Sequence, residues 1–228
     1  MIEVGLTDHM GSDLTVVNAA RVSFSKESHW FIHDPDDVSH LHVADVRLIR
    51  YLAKHKHMSP FGHCFASFRV KAPVFVARQL VKHKFLRWNE VSRRYVDYDP
   101  EFYEPETWRG KAEDKKQGSA GNIESSCVVD QFGELCHPMF AADDINKFAM
   151  ATYENMITAG VCPEQARIVL PQSMMTEWWW SGSLDAFADM CNLRCKADTQ
   201  YETQNVADQI NDIMIELFPV SWRALTVF

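Results

Sequence analysis

Two stretches of helical period in the second half of the chain constrain its fold most. From Asp143 to Ala159, Ile145, Phe148, Ala149, Thr152, Met156 and Ile157 recur at the spacing that lines one side of a helix. Gly160 follows as the residue expected just past its end. Further on, Thr199-x-x-Glu202 has the form of a capping box. It opens a helix with a stripe of Val206, Ile210, Ile213, Met214 and Leu217. Each stripe needs an apolar layer to pack against. Strand signals are fewer: Cys64 to Val70 carries aromatic residues and no breaker. Helices outweigh strands and no βαβ alternation is present. The expected class is α+β, a mixed sheet packed with helices in a single domain over residues 1–228.

The remaining pattern is shorter-ranged. Asp45 to Lys56 reads as a helix that Ser59-Pro60 stops. Pro73 suits the first turn of a helix reaching about Lys84. On that helix Gln79, Lys82 and His83 share a face. Asn89 to Asp97 alternates, which as a strand sets Glu90, Ser92 and Arg94 on one side. Pro163 starts a short helix that Pro171 ends, and Leu184 to Leu193 is helical. Arg109 to Ser126, rich in Lys, Gly, Ser and Glu, reads as a long surface loop.

Charge is unevenly spread. The segment from Arg69 to Arg94 holds eight basic residues and one acid, Glu90, so it carries +7 within a chain of net −8. The remainder is at −15, which argues against a general nucleic-acid binder and leaves room for one concentrated anion site. Charge alone also fits a solvated basic face. Arg167 and Arg194 stand in apolar surroundings, where a guanidinium needs a partner, internal or anionic ligand. His57 and His63 flank a Ser-Pro turn and could serve in proton transfer.

Several classes are excluded. No apolar run approaches the roughly 20 residues of a spanning helix, and no signal peptide is expected, so the expected location is the cytoplasm, or the host cytoplasm for a viral chain. The six cysteines form no Cys-x-x-Cys pair and are expected to be reduced. Cys191 and Cys195 have helical spacing but no second matching pair, so no metal site is expected. Glycine-rich nucleotide loops, a Gly-x-Ser-x-Gly elbow and a His-Glu-x-x-His helix are missing, as is a thiol placed as a nucleophile.

Arg78-Gln79-Leu80-Val81-Lys82-His83-Lys84, followed by Ser92, resembles the Arg-His-Arg-x7-Ser signature of ThyX-type flavin-dependent thymidylate synthases. The segments Ala20–Phe24, His57–His63, Val70–Gln79, Asn89–Tyr95, Ala166–Pro171 and Asn192–Arg194 are similar to family segments in the same order. The likeness covers about residues 14–105 and 150–205 and is poor across 109–140. It implies a ThyX-like fold and a homotetramer with shared active sites. It also implies reductive methylation of dUMP to dTMP, with FAD, NADPH and 5,10-methylenetetrahydrofolate, and no cysteine nucleophile.

By position, the resemblance makes Arg194 the residue that stabilises uracil as N3 ionises, and His57 the histidine near flavin and folate. Gln79, Lys82, Glu90, Ser92, Arg93, Arg94, Arg167 and Arg194 match dUMP-binding positions. Ser59, Lys82, His83, Lys84, Phe85, Glu90, Ser183 and Asp189 match FAD-contacting positions. Both signature arginines are lysines here, Lys82 and Lys84, which keep charge but lose the planar fork. Arg87 replaces a serine and is expected to restore a guanidinium in part. Ser183 and Asp189 replace asparagines, and Asp189 beside a phosphorylated cofactor requires a base to answer it. These departures keep alternatives open: a hydroxymethyltransferase or methylase acting on dUMP, dCMP or UMP, and more remotely a nucleic-acid-binding protein.

Overall fold

Alternation of small or aromatic apolar residues with polar ones builds the strands, and the first of the two long helical patterns closes on a different face from the one expected. The computed structural model describes residues 1–31, 40–96, 99–113 and 119–228. In chain order the elements are β1 Glu3–Met10, α1 Asp13–Arg21, α2 Val43–Lys54, β2 Phe65–Pro73, α3 Val74–Leu80 and β3 Leu86–Glu90. Then come β4 Val128–Val129, β5 Leu135–Cys136, α4 Pro138–Thr158, α5 Pro163–Ala166, β6 Met175–Ser183, α6 Leu184–Arg194, α7 Tyr201–Leu217 and α8 Pro219–Leu225. Four strands form one sheet in the order β1-β2-β6-β3, and β4 pairs antiparallel with β5. The class is α+β, as expected. Among the described residues no helix is long and apolar enough to cross a membrane.

Two compact units divide the described residues. Unit one comprises Met1–Glu3, Lys71–Val81 and Glu90–Trp178; unit two comprises Val4–Val70, Lys82–Asn89 and Trp179–Phe228. In unit two, β2 buries Ala66, Phe68 and Val70 and turns Phe65 and Arg69 outward, the period of two that a half-buried strand requires. Phe187 of α6 meets Phe68 edge-on at 5.1 Å and Trp180 at 5.5 Å, while Trp88 of β3 meets Trp180 at 5.7 Å. Such offset and edge-on rings add to what area burial alone contributes. α7 buries Val206, Ala207, Ile210 and Met214. Its cap is Gln200, not Thr199, whose hydroxyl instead donates to the Leu193 carbonyl at 3.2 Å.

Unit one holds α4, whose buried residues are Asn146, Ala149 and Tyr153. The expected stripe is therefore rotated: Ile145 and Phe148 are exposed. Asn146 explains the rotation, because its amide oxygen accepts the Ser173 hydroxyl at 2.8 Å and so belongs inside. Gly160 takes the left-handed conformation expected of it, with φ at 87°. The base of the 109–126 loop is tied by Gly110 N–H to the Gly121 carbonyl at 2.9 Å and Ile123 N–H to the Trp108 carbonyl at 2.7 Å. Residues 114–118 of that loop lie outside the described residues, as does Asp97 at the end of the expected 89–97 strand.

One buried acid fastens the C-terminal helix of unit two. Asp13, 2% exposed, accepts the backbone N–H groups of Val220 and Ser221, both at 2.8 Å, at the first turn of α8. A carboxylate suits that position because the first N–H groups of a helix lack intrahelical partners. Asp13→Ala strands both donors and should lower unfolding free energy by about 3 kcal/mol. Asp13→Asn, which keeps one acceptor, should lose less. Urea unfolding of the two variants checks the order, and equal stability of Asp13→Ala and the native chain would refute it.

Candidate active site

In unit one, the site begins where β3 leaves its ladder. Val91 N–H still donates to the Glu177 carbonyl at 2.9 Å, but the Ser92 carbonyl then accepts from Tyr95 at 3.0 Å and Val96 at 3.2 Å. The chain is a turn here, so the expected single strand face for Glu90, Ser92 and Arg94 does not form. The turn separates two neighbouring arginines. Arg93 goes inward and is only 7% exposed, whereas Arg94 lies outside. The Arg94 backbone N–H donates to the Ser92 hydroxyl oxygen at 3.3 Å, and its guanidinium lies 5.2 Å from the Tyr95 ring centre.

Glu164 of α5 draws Arg94 and Arg167 together. Arg94 Nε lies 3.8 Å from Glu164 Oε2, and Arg167 Nε donates to the Glu164 carbonyl at 3.1 Å. The Arg94–Glu164 pair is half exposed and long, so it contributes little to stability and is readily exchanged for an anionic ligand. Arg167 is exposed, not buried as its apolar neighbours in sequence suggested.

A cavity of about 610 Å³ in the same unit is lined by Glu90, Arg93 and Arg167 together with Lys71, Arg78, Glu101 and Glu177, among others. Four cations there face three carboxylates. Lys71 Nζ bonds Glu101 Oε2 at 2.6 Å, which raises the lysine pKa, and Glu90 Oε1 accepts the Thr176 hydroxyl at 2.8 Å. Gln79, Ser92 and Arg94 are not part of this lining. Lys71 and Arg78 are the residues that sequence reasoning counted as charge but did not place in a site.

In unit two, the signature residues stand in a turn. α3 stops at Leu80, so Lys82 and His83 lie past its end and share no helical face with Gln79. Two features mark the path from there into β3. Phe85 takes a positive φ of 64°, uncommon for a residue with a side chain, and turns the chain into β3. Gly182 of β6 then admits β3 at close range: a Cβ there would press on Leu86 Cδ2 and lie 3.2 Å from the Phe85 carbonyl oxygen. Lys82, Lys84 and Phe85 are exposed, Phe85 to 84%.

Half-buried His83 meets Arg194 at the end of α6. Arg194 Nε donates to His83 Nε2 at 3.1 Å. Burial, and then the Arg194 charge, push the histidine pKa down from 6.5 to about 4. Burial also lowers the Arg194 pKa, which still leaves a guanidinium charged at neutral pH. Among the described residues the terminal nitrogens of Arg194 have no hydrogen-bond partner.

Asp189, one turn earlier on α6, opens on a cavity of about 260 Å³ that also receives Arg50, Lys54 and Lys56. Burial and then Asp185 raise the Asp189 pKa, and Lys56 opposes them. Three cations around one acid leave the cavity positive, which fits a phosphorylated cofactor. Arg50 and Lys54, four residues apart on α2, gave a signal in the sequence as a shared helical face, but nothing there tied them to Asp189. Ser183 caps the start of α6 and donates its hydroxyl to Asp185 Oδ1. His57 and Ser59 are exposed, with the His57 ring 6.0 Å from Tyr51 and 6.3 Å from His55.

The chain matches known proteins over nearly its whole length. The family model described as Thy1, thymidylate synthase complementing protein, matches residues 5–220. The flavin-dependent thymidylate synthase of Thermus thermophilus is 34% identical over 221 residues, covering 97% of this chain and 74% of the relative. That of Thermosipho melanesiensis is 35% identical over 223 residues, covering 98% and 90%. Among solved structures, the UMP/dUMP methylase PolB from Streptomyces cacaoi bound with 5-Br dUMP superposes with a TM-score of 0.78 at 30% identity. The match covers 98% of this chain and 94% of that one. The chain belongs to the Thy1 family.

Proposed function

We propose that the chain is a flavin-dependent thymidylate synthase that methylates dUMP to dTMP, with residues 1–228 acting as one catalytic domain. The observation that carries this reading is the family match over residues 5–220, joined to a half-buried Arg194 whose terminal nitrogens are available to a ligand. 5,10-Methylenetetrahydrofolate provides the carbon and NADPH the reducing equivalents, with FAD as the bound flavin. When bound, the reduced flavin supplies the hydride and mediates transfer of the one-carbon unit to uracil C5.

The protein's own residues bind, orient and compensate charge. Arg194 holds uracil and stabilises the negative charge that grows as N3 ionises, which a preorganised guanidinium does without reorganising. Ser92, Arg94 and Arg167 take the nucleotide phosphate, with Gln79, Lys82, Glu90 and Arg93 holding the rest of dUMP. The looseness of the Arg94–Glu164 pair supports this, since the phosphate can displace the carboxylate. Ser59, Lys82, Lys84, Phe85, Glu90, Ser183 and Asp189 hold FAD, and the three cations beside Asp189 support a phosphorylated cofactor there. His57, exposed among aromatic rings, lies by flavin and folate. The active species is a homotetramer with shared sites.

A second reading, methylation of UMP beside dUMP, is favoured by the likeness to PolB, whose solved structures carry 5-Br dUMP and 5-Br UMP. Incubating the purified protein with NADPH, methylenetetrahydrofolate and dUMP, UMP or dCMP in turn separates the readings. dTMP from dUMP is expected. A methylated product from UMP would establish the second reading, and a hydroxymethylated product or dCMP turnover alone would overturn the first.

Two variants test the residue roles. Arg194→Ala should keep its flavin absorbance and lose turnover by about 100-fold, the scale on which single charge-stabilising donors act. Arg87→Ala should weaken FAD binding by about tenfold, as expected for one charge-assisted contact. Native affinity in that variant would remove Arg87 from the site.

A further inference from the structure

We propose that His83 is the positioning residue for Arg194: its Nε2 accepts the Arg194 Nε–H and so fixes the plane and the aim of the guanidinium. The inference rests on the reading of Arg194 as the uracil-facing group.

The geometry is specific. The bond is 3.1 Å long and joins the turn between α3 and β3 to the last residue of α6, far apart in sequence. A guanidinium is planar, so holding Nε–H in one direction sets the direction of both terminal NH2 groups. Those two groups are the ones without a partner among the described residues. An unanchored arginine would spread its fork over many rotamers and lose them on binding. The histidine thus does for the fork what a second group does for any oriented catalytic side chain.

Only a neutral imidazole can do this. A protonated ring has N–H on both nitrogens and nothing to accept with. Its tautomer must carry the proton on Nδ1. The half-buried setting and the adjacent guanidinium both disfavour the charged ring, and its pKa falls to about 4. Arg194 is the charged group the structure sets against it. This gives a reason for a histidine between Lys82 and Lys84. A third lysine, or an arginine, would bring a like charge against Arg194 and offer no acceptor.

The test uses the flavin-loaded enzyme with His83→Gln and His83→Leu, each alone and combined with Arg194→Ala. Gln presents an amide oxygen near the Nε2 position and should stay within about threefold of native kcat. Leu fills space without accepting and should lower kcat by about 10–100-fold with flavin retained, the cost of slight misalignment of a reacting group. In the Arg194→Ala background, His83→Leu should add less than about twofold, because a residue acting through another has nothing left to act on. A full additional loss in that background, or a loss of turnover matched by loss of flavin, would overturn the proposal. Unchanged turnover in Arg194→Ala alone would instead sink the reading of Arg194, which keeps the two failures distinct.

A stability measurement checks the neutral acceptor independently of turnover. Between pH 6.5 and about 4 the unfolded histidine binds a proton that the folded one refuses. Unfolding is therefore favoured as pH falls through that window. The native protein should lose stability toward acid faster than His83→Gln, which has no such group. Parallel pH profiles in urea unfolding would refute a neutral His83.

Discussion

The approach of β3 to β6 at Gly182 is the constraint on which unit two's half of the chemistry depends. A Cβ at that glycine would press on the end of the Leu86 side chain and come within 3.2 Å of the Phe85 carbonyl oxygen, so glycine lets the strands meet without either giving way. Ahead of that approach α3 ends at Leu80 and the chain reverses at Phe85 in the left-handed region. The residues left in the reversal are Lys82, His83 and Lys84. A helix continued through Lys84, as propensity alone would favour, would have pointed them elsewhere. The turn instead delivers His83 to the end of α6, where Arg194 waits.

The path of the chain, from unit one to unit two and back, divides one basic segment between them. The stretch from Arg69 to Arg94 is continuous in sequence, but the fold distributes it. Lys71, Arg78, Arg93 and Arg94 belong to unit one, while Lys82, Lys84 and Arg87 belong to unit two. Each unit then completes its set with residues from the second half of the chain, Arg167 with Glu164 in one and Arg194 with Asp189 in the other. Distribution matters energetically. Seven net charges in one place would repel strongly, and dividing them between two units, with Lys71 paired to Glu101, lowers that cost.

The fold class, the existence of most helices and the conformation at Gly160 were legible because periodicity and glycine chemistry are local signals. What failed was set by hydrogen-bond partners that periodicity does not display, near or far in sequence. The buried face of α4 turns on Asn146, whose burial makes sense only with Ser173 beside it. Thr199 looked like a cap but satisfies Leu193 instead. Glu90, Ser92 and Arg94 alternate as a strand would, yet the Ser92 carbonyl closes a turn. Among site residues, Arg194 and Arg167 stood out as guanidiniums in apolar runs, which is a local cue. Arg50 and Lys54 showed only a shared helical face, and nothing local tied them or Lys56 to an acid more than a hundred residues later.

Those three cations also bear on the sequence departures. Asp189, standing where the resemblance has asparagine, adds a negative charge to a place expected to receive phosphate. Alone it would repel an anion, though its exposure lets solvent screen that repulsion. Lys56 acts on it directly, and Arg50 and Lys54 share its cavity, so the local balance stays positive. Lysine is adequate for this task because screening a diffuse charge needs no planar fork. At Arg194 the opposite holds: the ligand proposed for it is a flat ring with fixed acceptors, and there the chain has a guanidinium whose Nε–H is taken by His83 Nε2.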